Sequence, residues 1–137
     1  MNIDPRGPRF GAAITTVVVA IVLATGSGWL LLAQAVVFAV GAIAGLRFAP
    51  YGMLYKALIR PRLSPPAELE AEAPPRFAQG IGLVMAAVGS IGYLAVSPVV
   101  GAVFAGLTLA AAFLNAVFDL CLGCHMYLFI QRIRPAA

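Results

Sequence analysis

Four apolar stretches organise the chain. Phe10 to Thr25 carries no charge, and Gly26-Ser27-Gly28 interrupts it before Trp29 to Leu46, which is again uncharged. A mixed segment runs from Arg47 to Arg76. Phe77 to Val96 is uncharged, Ser97-Pro98 breaks the pattern, and Val99 to Gln131 holds one acid, Asp119. Each run is near the ~20 residues a helix needs to cross a ~30 Å hydrocarbon core. Lipid offers no partner for backbone polar groups, so each run is expected to be helical. The pattern predicts an all-α membrane protein: a four-transmembrane-helix bundle made of two helical hairpins. The helices are expected over 10–26, 29–46, 77–96 and 99–131, in a single integral membrane domain covering 1–137.

The segment 47–76 between the hairpins has two parts. From Pro50 to Leu63, Lys56 and Arg60 share one helical face, and Met53, Leu54, Ala57 and Leu58 share another. That is the pattern of a short amphipathic helix lying in the membrane interface, ended by Pro61. It serves either as an anchor or as a docking surface for a partner. Ser64 to Pro75 is rich in Pro and Glu, with Glu68, Glu70 and Glu72, and reads as a solvated linker.

Composition agrees with the membrane reading. Hydrophobic residues make up 62% of the 137 residues and charged ones only 10%, against roughly a quarter in soluble domains. The net charge is +4, a surplus that would suit nucleic acid were it clustered for that purpose. Instead, Arg6 and Arg9 precede the first run, five basic residues lie between Arg47 and Arg76, and Arg132 and Arg134 follow the last run, which accounts for all 9. None falls in a tight turn. Basic loops stay cytoplasmic, so both termini and the central loop are expected inside. Trp29 and Tyr93 then sit near the outer boundary, and Tyr51, Tyr55 and Tyr127 near the inner one. The surplus is an orientation signal, and no nucleic-acid partner is expected.

The first run also has the layout of a secretory signal. Against cleavage, Pro8-Arg9-Phe10 at its start is echoed by Pro75-Arg76-Phe77 at the start of the third run. The echo suggests two related hairpins inserted in the same direction. Gly41-xxx-Gly45 and Ala102-xxx-Gly106 offer small residues for close helix approach.

Candidate chemistry is confined to Asn115–Tyr127. The only 2 cysteines of the chain, Cys121 and Cys124, share a helical face, with His125 one turn from Cys121. Asp119 within an apolar run is expected to face the bundle interior, with Asn115 as a hydrogen-bond partner or with a proton-handling role. The cysteine pair has four readings. Cys-x-x-Cys-His matches c-type haem attachment, but that chemistry belongs on the opposite side from the expected topology. Two thiols and one imidazole leave a zinc site one ligand short. The cysteines also suit a purely structural role as small apolar residues. The fourth reading is a redox or sulfur-carrying dithiol, since at this spacing one thiolate attacks and its neighbour resolves the mixed disulfide. Gly123 is a place for the helix to loosen and present a thiol near a helix end, where the thiolate is favoured.

Several motifs carry a resemblance. They are Ile3-Asp4-Pro5-Arg6-Gly7-Pro8-Arg9-Phe10, Ala49-Pro50-Tyr51-Gly52, Arg60-Pro61-Arg62-Leu63, Pro74-Pro75-Arg76-Phe77-Ala78-Gln79 and Phe118-Asp119-Leu120-Cys121-Leu122-Gly123-Cys124. With these the sequence resembles the bacterial membrane family catalogued only as domain-of-unknown-function family 4395, over nearly the whole chain. Its Cys-x-Gly-Cys maps onto Cys121, Gly123 and Cys124, while His125 and Asp119 fall outside the family pattern. The resemblance implies association with thioredoxin-like and rhodanese-type sulfurtransferase proteins.

Two functions are therefore expected to compete. One is a membrane-embedded thiol–disulfide or sulfur relay in the bacterial inner membrane. It would use Cys121 and Cys124 with His125 as proton acceptor, without cofactor, and exchange with a cytoplasmic thioredoxin-like or rhodanese-type protein. Cys124, nearer the aqueous boundary, is the favoured attacker. The other is a non-catalytic scaffold or anchor subunit with structural cysteines. The oligomeric state stays open, a homo-oligomer included.

Overall fold

A computed structural model describes residues 2–64 and 69–133. The chain begins with a two-residue strand, β1 (Asn2–Ile3), followed by helix α1 (Arg6–Thr25). Gly26 closes α1 in the left-handed conformation (φ 68°), and its N–H returns to the Val22 carbonyl. Only glycine enters that region without strain, and it is the usual helix stop. Ser27 then opens α2 (Gly28–Ala39) by accepting a hydrogen bond from the Leu30 N–H. A wider π-type turn over Val40–Ala44 extends α2. It ends at Gly45, whose φ of 108° again requires glycine.

A short α3 (Pro50–Leu54) follows, continued by a π-type turn over Tyr55–Ile59 and a 3₁₀ turn at Arg60–Arg62. Strand β2 (Glu70–Ala71) pairs antiparallel with β1, Asn2 opposite Ala71 and Ile3 opposite Glu70. Helix α4 (Ala73–Ile91), extended by a π-type turn over Gly92–Val96, leads to α5 (Pro98–Phe118). Ser97 caps α5 by accepting from the Val99 N–H, with Pro98 in the first helical position, where its missing N–H costs nothing. The last element among the described residues is α6 (Leu122–Ile133).

Among the described residues, three helices are long and apolar enough to cross a membrane: Arg6–Thr25, Ala73–Val96 and Pro98–Phe118. Gly28–Ala44 is a shorter apolar helix. The distribution of side chains is inverted relative to a soluble domain. Val17, Trp29, Val36, Val84, Ile91 and Val103 are exposed, whereas Thr15, Gln34, Ser90 and Thr108 are buried. A surface this apolar needs an apolar surrounding. The buried hydroxyls of Thr15, Ser90 and Thr108 each donate to the carbonyl four residues back, at 2.9, 2.7 and 2.9 Å. They are satisfied without a partner helix.

The core gathers Val19, Val22, Leu31, Ala35, Phe38, Ala86 and Ala105. Close approach depends on small residues. On α5 these are Gly101 and Ala105, both buried. The expected pair Ala102 and Gly106 stands one residue off this face: Ala102 is exposed, and a Cβ on Gly106 would meet nothing within 4 Å.

The two halves repeat one arrangement. Helix α1 packs along α5, and α4 packs along α2; α3 lies on α1, and α6 lies on α4. The Pro-Arg-Phe echo gives the same contacts in both halves. Phe10 meets Tyr55 with ring centroids 5.7 Å apart, and Phe77 meets Tyr127 at 5.6 Å. Arg76 donates to the Ala42 and Ile43 carbonyls at 2.8 and 2.7 Å. Arg9 donates to the Ala116 and Val117 carbonyls at 3.1 and 3.3 Å. Each arginine thus satisfies the carbonyls left open at the end of the partner helix.

Other expectations need correction. The helix expected over 99–131 is broken: α5 ends at Phe118, Asp119 turns left-handed (φ 55°), and α6 starts at Leu122. The side chain of Asp119 is exposed rather than turned into the bundle. The first helix begins at Arg6, so Pro8 and Arg9 lie inside it. The linker expected over Ser64–Pro75 ends early, because α4 starts at Ala73. Glu68 of that linker and Arg134 lie outside the described residues.

Candidate functional site

The Cys-x-x-Cys pair stands at the junction of α5 and α6. Helix α5 stops where Asp119 adopts the left-handed conformation, which a short polar side chain tolerates better than most. The N–H groups of Asp119 and Leu120 both turn back to the Leu114 carbonyl. Arg9 holds the neighbouring carbonyls of Ala116 and Val117, so the end of α5 is fixed from α1. Residues 119–121 are non-helical, and α6 restarts immediately.

Cys121 therefore occupies the cap of α6. Its carbonyl accepts from the His125 N–H at 3.0 Å, and its Sγ accepts from the Cys124 N–H at 3.2 Å. The two sulfurs lie at disulfide distance, with Cα atoms 5.2 Å apart. Both cysteines are half-buried, while His125 is exposed. Gly123 sits between them against α4, where a Cβ would come within 2.5 Å of the Ala78 Cβ. Glycine at this position lets α6 lie close on α4. The expected helix end beside the thiols is present, produced by the break at 119–121 rather than by loosening at Gly123.

A cavity of about 510 Å³ opens beside the pair, walled by α1, α2, α4, α5 and α6. Both cysteines, His125, Asn115 and Asp119 line it. Among the described residues, no three His, Cys, Asp or Glu side chains gather where they would hold a metal ion.

A second polar centre holds α3 to α1. The Asp4 carboxylate, with its side chain 6% exposed, accepts from the Arg6 guanidinium at 3.0 Å and the Tyr55 hydroxyl at 3.0 Å. Arg60 approaches the same carboxylate at 3.9 Å. Burial by itself pushes the Asp4 carboxyl up, but the hydrogen bonds from Arg6 and Tyr55 prevail and hold it below the usual carboxylate range. Burial, then the bond to Asp4, pushes the Tyr55 phenol up. Deeper in, the Tyr51 hydroxyl donates to Gln34 at 2.7 Å, and Gln34 donates to Thr15 at 3.4 Å. A smaller cavity of about 240 Å³ is lined by these groups.

Comparison with known proteins bears on the whole chain. The family model described as "Domain of unknown function (DUF4395)" matches residues 3–132. The chain belongs to the DUF4395 family. The match takes in α1 to α6, the Asp4 centre and both cysteines, so the thiol junction of this DUF4395 protein is part of the family domain and not an appendage to it. No curated protein and no solved structure matches the chain.

The structure brings Cys121, Cys124 and His125, which sequence reasoning singled out, to one junction; two other features had not been singled out. Arg9 as the lock on α5 was foreshadowed only by the Pro-Arg-Phe echo. Of the Asp4 centre, the motif Ile3-Asp4-Pro5-Arg6 held the local pair, but its closure by Tyr55 and Arg60 had no signal, because they come from a distant segment.

Proposed function

We propose that the protein is a multi-pass membrane thiol relay in which Cys121 and Cys124 cycle between dithiol and disulfide. The observation that carries this reading is the position of Cys121. Its sulfur caps α6 and accepts a backbone N–H from Cys124. A thiolate at a helix N-terminus is stabilised by that hydrogen bond and by the helix dipole. Cys121 is thus the attacking sulfur, in place of Cys124, which nearness to water had favoured. The Cys121 thiolate attacks a partner's disulfide, forming a mixed disulfide and releasing the partner's other thiolate. Cys124 then attacks Cys121 Sγ, forming the internal disulfide and releasing the partner as a thiol. Exposed His125 takes the proton from Cys124 in its neutral form.

Four spans complete this picture. Gly28–Ala44 reaches about 25 Å at 1.5 Å per residue, enough to serve as the fourth beside the three longer helices. The basic residues set the orientation: both termini and α3 in the cytoplasm, in a bacterial inner membrane. α3 and the turn that continues it lie at the cytoplasmic interface, with Met53, Leu54 and Leu58 exposed toward lipid. The exchange partner is a cytoplasmic protein with a thioredoxin-like or sulfurtransferase dithiol chemistry.

The test is trapping in membranes with thioredoxin as bait. With Cys124→Ser, the mixed disulfide through Cys121 should accumulate; with Cys121→Ser, it should not. Equal trapping by both variants, or by neither, would refute the assignment.

A further inference from the structure

A dithiol that forms a disulfide must hand two electrons to an acceptor, and the cavity beside it restricts what that acceptor is. It measures about 510 Å³, within the range of pockets that bury a ring-sized ligand. Its walls are mainly apolar, with Ala12, Phe38, Met85, Leu107, Ala111 and Leu128 from five helices. No Arg or Lys lines it, and Asp119 adds an acid. A flavin or nicotinamide nucleotide carries phosphates and would find no cation there. The amides of Gln79 and Asn115 also line the cavity. They supply N–H donors suited to carbonyl oxygens.

We propose that this cavity receives the ring of a lipid-soluble quinone, which takes the electrons of the Cys121–Cys124 dithiol. The inference rests on the thiol-relay reading and names its acceptor. The Cys121 thiolate adds to a ring carbon, forming a C–S bond. Cys124 attacks Cys121 Sγ, the C–S bond breaks, and its electron pair stays on the ring. Two S–H bonds are lost, one S–S bond forms, and the ring oxygens take up two protons as hydroquinone. The dithiol is oxidised and the quinone reduced; a partner dithiol then restores the pair by the reverse of the thiol exchange described above, the partner leaving as a disulfide, so that two electrons run from partner to quinone.

The experiment uses the full chain in detergent micelles, reduced and desalted without oxygen, with decylubiquinone as the probe. Its fully substituted ring does not permanently arylate thiols. Loss of the oxidised quinone band should match loss of the two thiols, and neither Cys121→Ser nor Cys124→Ser should support it. Filling the cavity with Ala111→Phe should slow the reaction by about tenfold or more while thiol titration in denaturant stays unchanged. A readout on the unaltered protein covers the case in which this variant does not fold. Decylubiquinol, which cannot oxidise thiols, should slow alkylation of the reduced pair, whereas decane at equal concentration should not. Retained thioredoxin trapping with no quinone reduction would overturn the quinone proposal and leave the relay standing. Loss of trapping as well would overturn both. Reduction as fast in a folded Ala111→Phe as in the parent would also overturn the proposal, because the chemistry would lie outside the cavity.

Discussion

Gly123→Ala tests whether α6 is seated on α4 through glycine. A Cβ there would stand 2.5 Å from the Ala78 Cβ and 2.7 Å from its Cα. Ordinary carbon contacts lie at about 3.5–4.0 Å, so α6 must move away by about 1 Å. Neither opposing atom is the far end of a flexible side chain, so the collision cannot be relieved by a rotamer. Forced overpacking of this kind costs about 1–3 kcal/mol. The substitution also brings the helix-propensity gain of alanine over glycine, roughly 0.5–1 kcal/mol. Gly106→Ala supplies the same gain within α5, where the new Cβ meets nothing within 4 Å. The difference between the two variants therefore isolates the collision. Thermal unfolding of the oxidised proteins in one detergent should place Gly123→Ala below Gly106→Ala by about 2–8 °C. Adding Ala78→Gly should recover only part of the loss, since the Ala78 Cα remains in the way. A Gly123→Ala protein as stable as Gly106→Ala would refute the seating of α6 described here.

The charged groups give further expectations. Replacing Asp4 by Asn should destabilise the protein by about 1–3 kcal/mol at neutral pH, the value of hydrogen bonds to a charged group. Because the folded carboxyl titrates below its ordinary 3.8, the stabilisation is fully present above that value and fades as pH falls through the lower folded one. The gap between parent and Asn variant in pH-dependent unfolding should therefore close below about pH 4. Arg9→Ala frees the carbonyls at the end of α5 and should speed thiol exchange at Cys121, whereas Arg76→Ala should lower stability without altering it; stopped-flow alkylation separates the two. In single-cysteine variants at neutral pH, Cys121, whose sulfur accepts the Cys124 N–H at the start of α6, should be alkylated faster than Cys124.

The apolar runs foretold the helices well, because lipid and backbone hydrogen bonding leave an uncharged run of that length few alternatives. Glycine and serine also marked the turns at Gly26-Ser27 and Ser97. What failed was continuity across Asp119. From hydropathy alone, Val99 to Gln131 is one helix, since Leu120, Cys121 and Leu122 are as apolar as their neighbours. The break arises from tertiary contacts: Arg9 reaches in from α1 to hold the last α5 carbonyls, and α6 turns to lie on α4. For the same reason Asp119 was expected inside. As an intact-helix residue it would need burial, but at a helix end its backbone makes the turn and the residue stays exposed, at the edge of the cavity it helps to line. The small-residue pattern on α5 was displaced by one position, because Gly101-xxx-Ala105 and Ala102-xxx-Gly106 are indistinguishable without knowing which face meets a neighbour.

The repeated architecture offers a comparison within one molecule. α3 and α6 occupy corresponding places, each on the first helix of its half and each with a tyrosine against the Phe of Pro-Arg-Phe. They differ in what holds them. The turns that continue α3 are clamped through Tyr55 and Arg60 to the buried Asp4. Among the described residues no ion pair reaches α6, which is joined to α5 by three non-helical residues and carries the thiols at that joint. The half with the two cysteines is thus the half whose surface helix has no ion-pair clamp among the described residues, and the Cys121–Cys124 bond ties the joint to the first turn of α6. Hydrogen exchange should separate the two. Asp4→Asn should raise exchange over 50–59 and leave 122–133 unchanged. Reduction of Cys121–Cys124 should do the opposite, lowering protection in the first turns of α6 by about 1–3 kcal/mol of opening free energy, a fraction of the global value. If reduction loosens both helices together, or neither, α6 does not respond to its thiols as a separate unit, and the relay must work without movement at the joint.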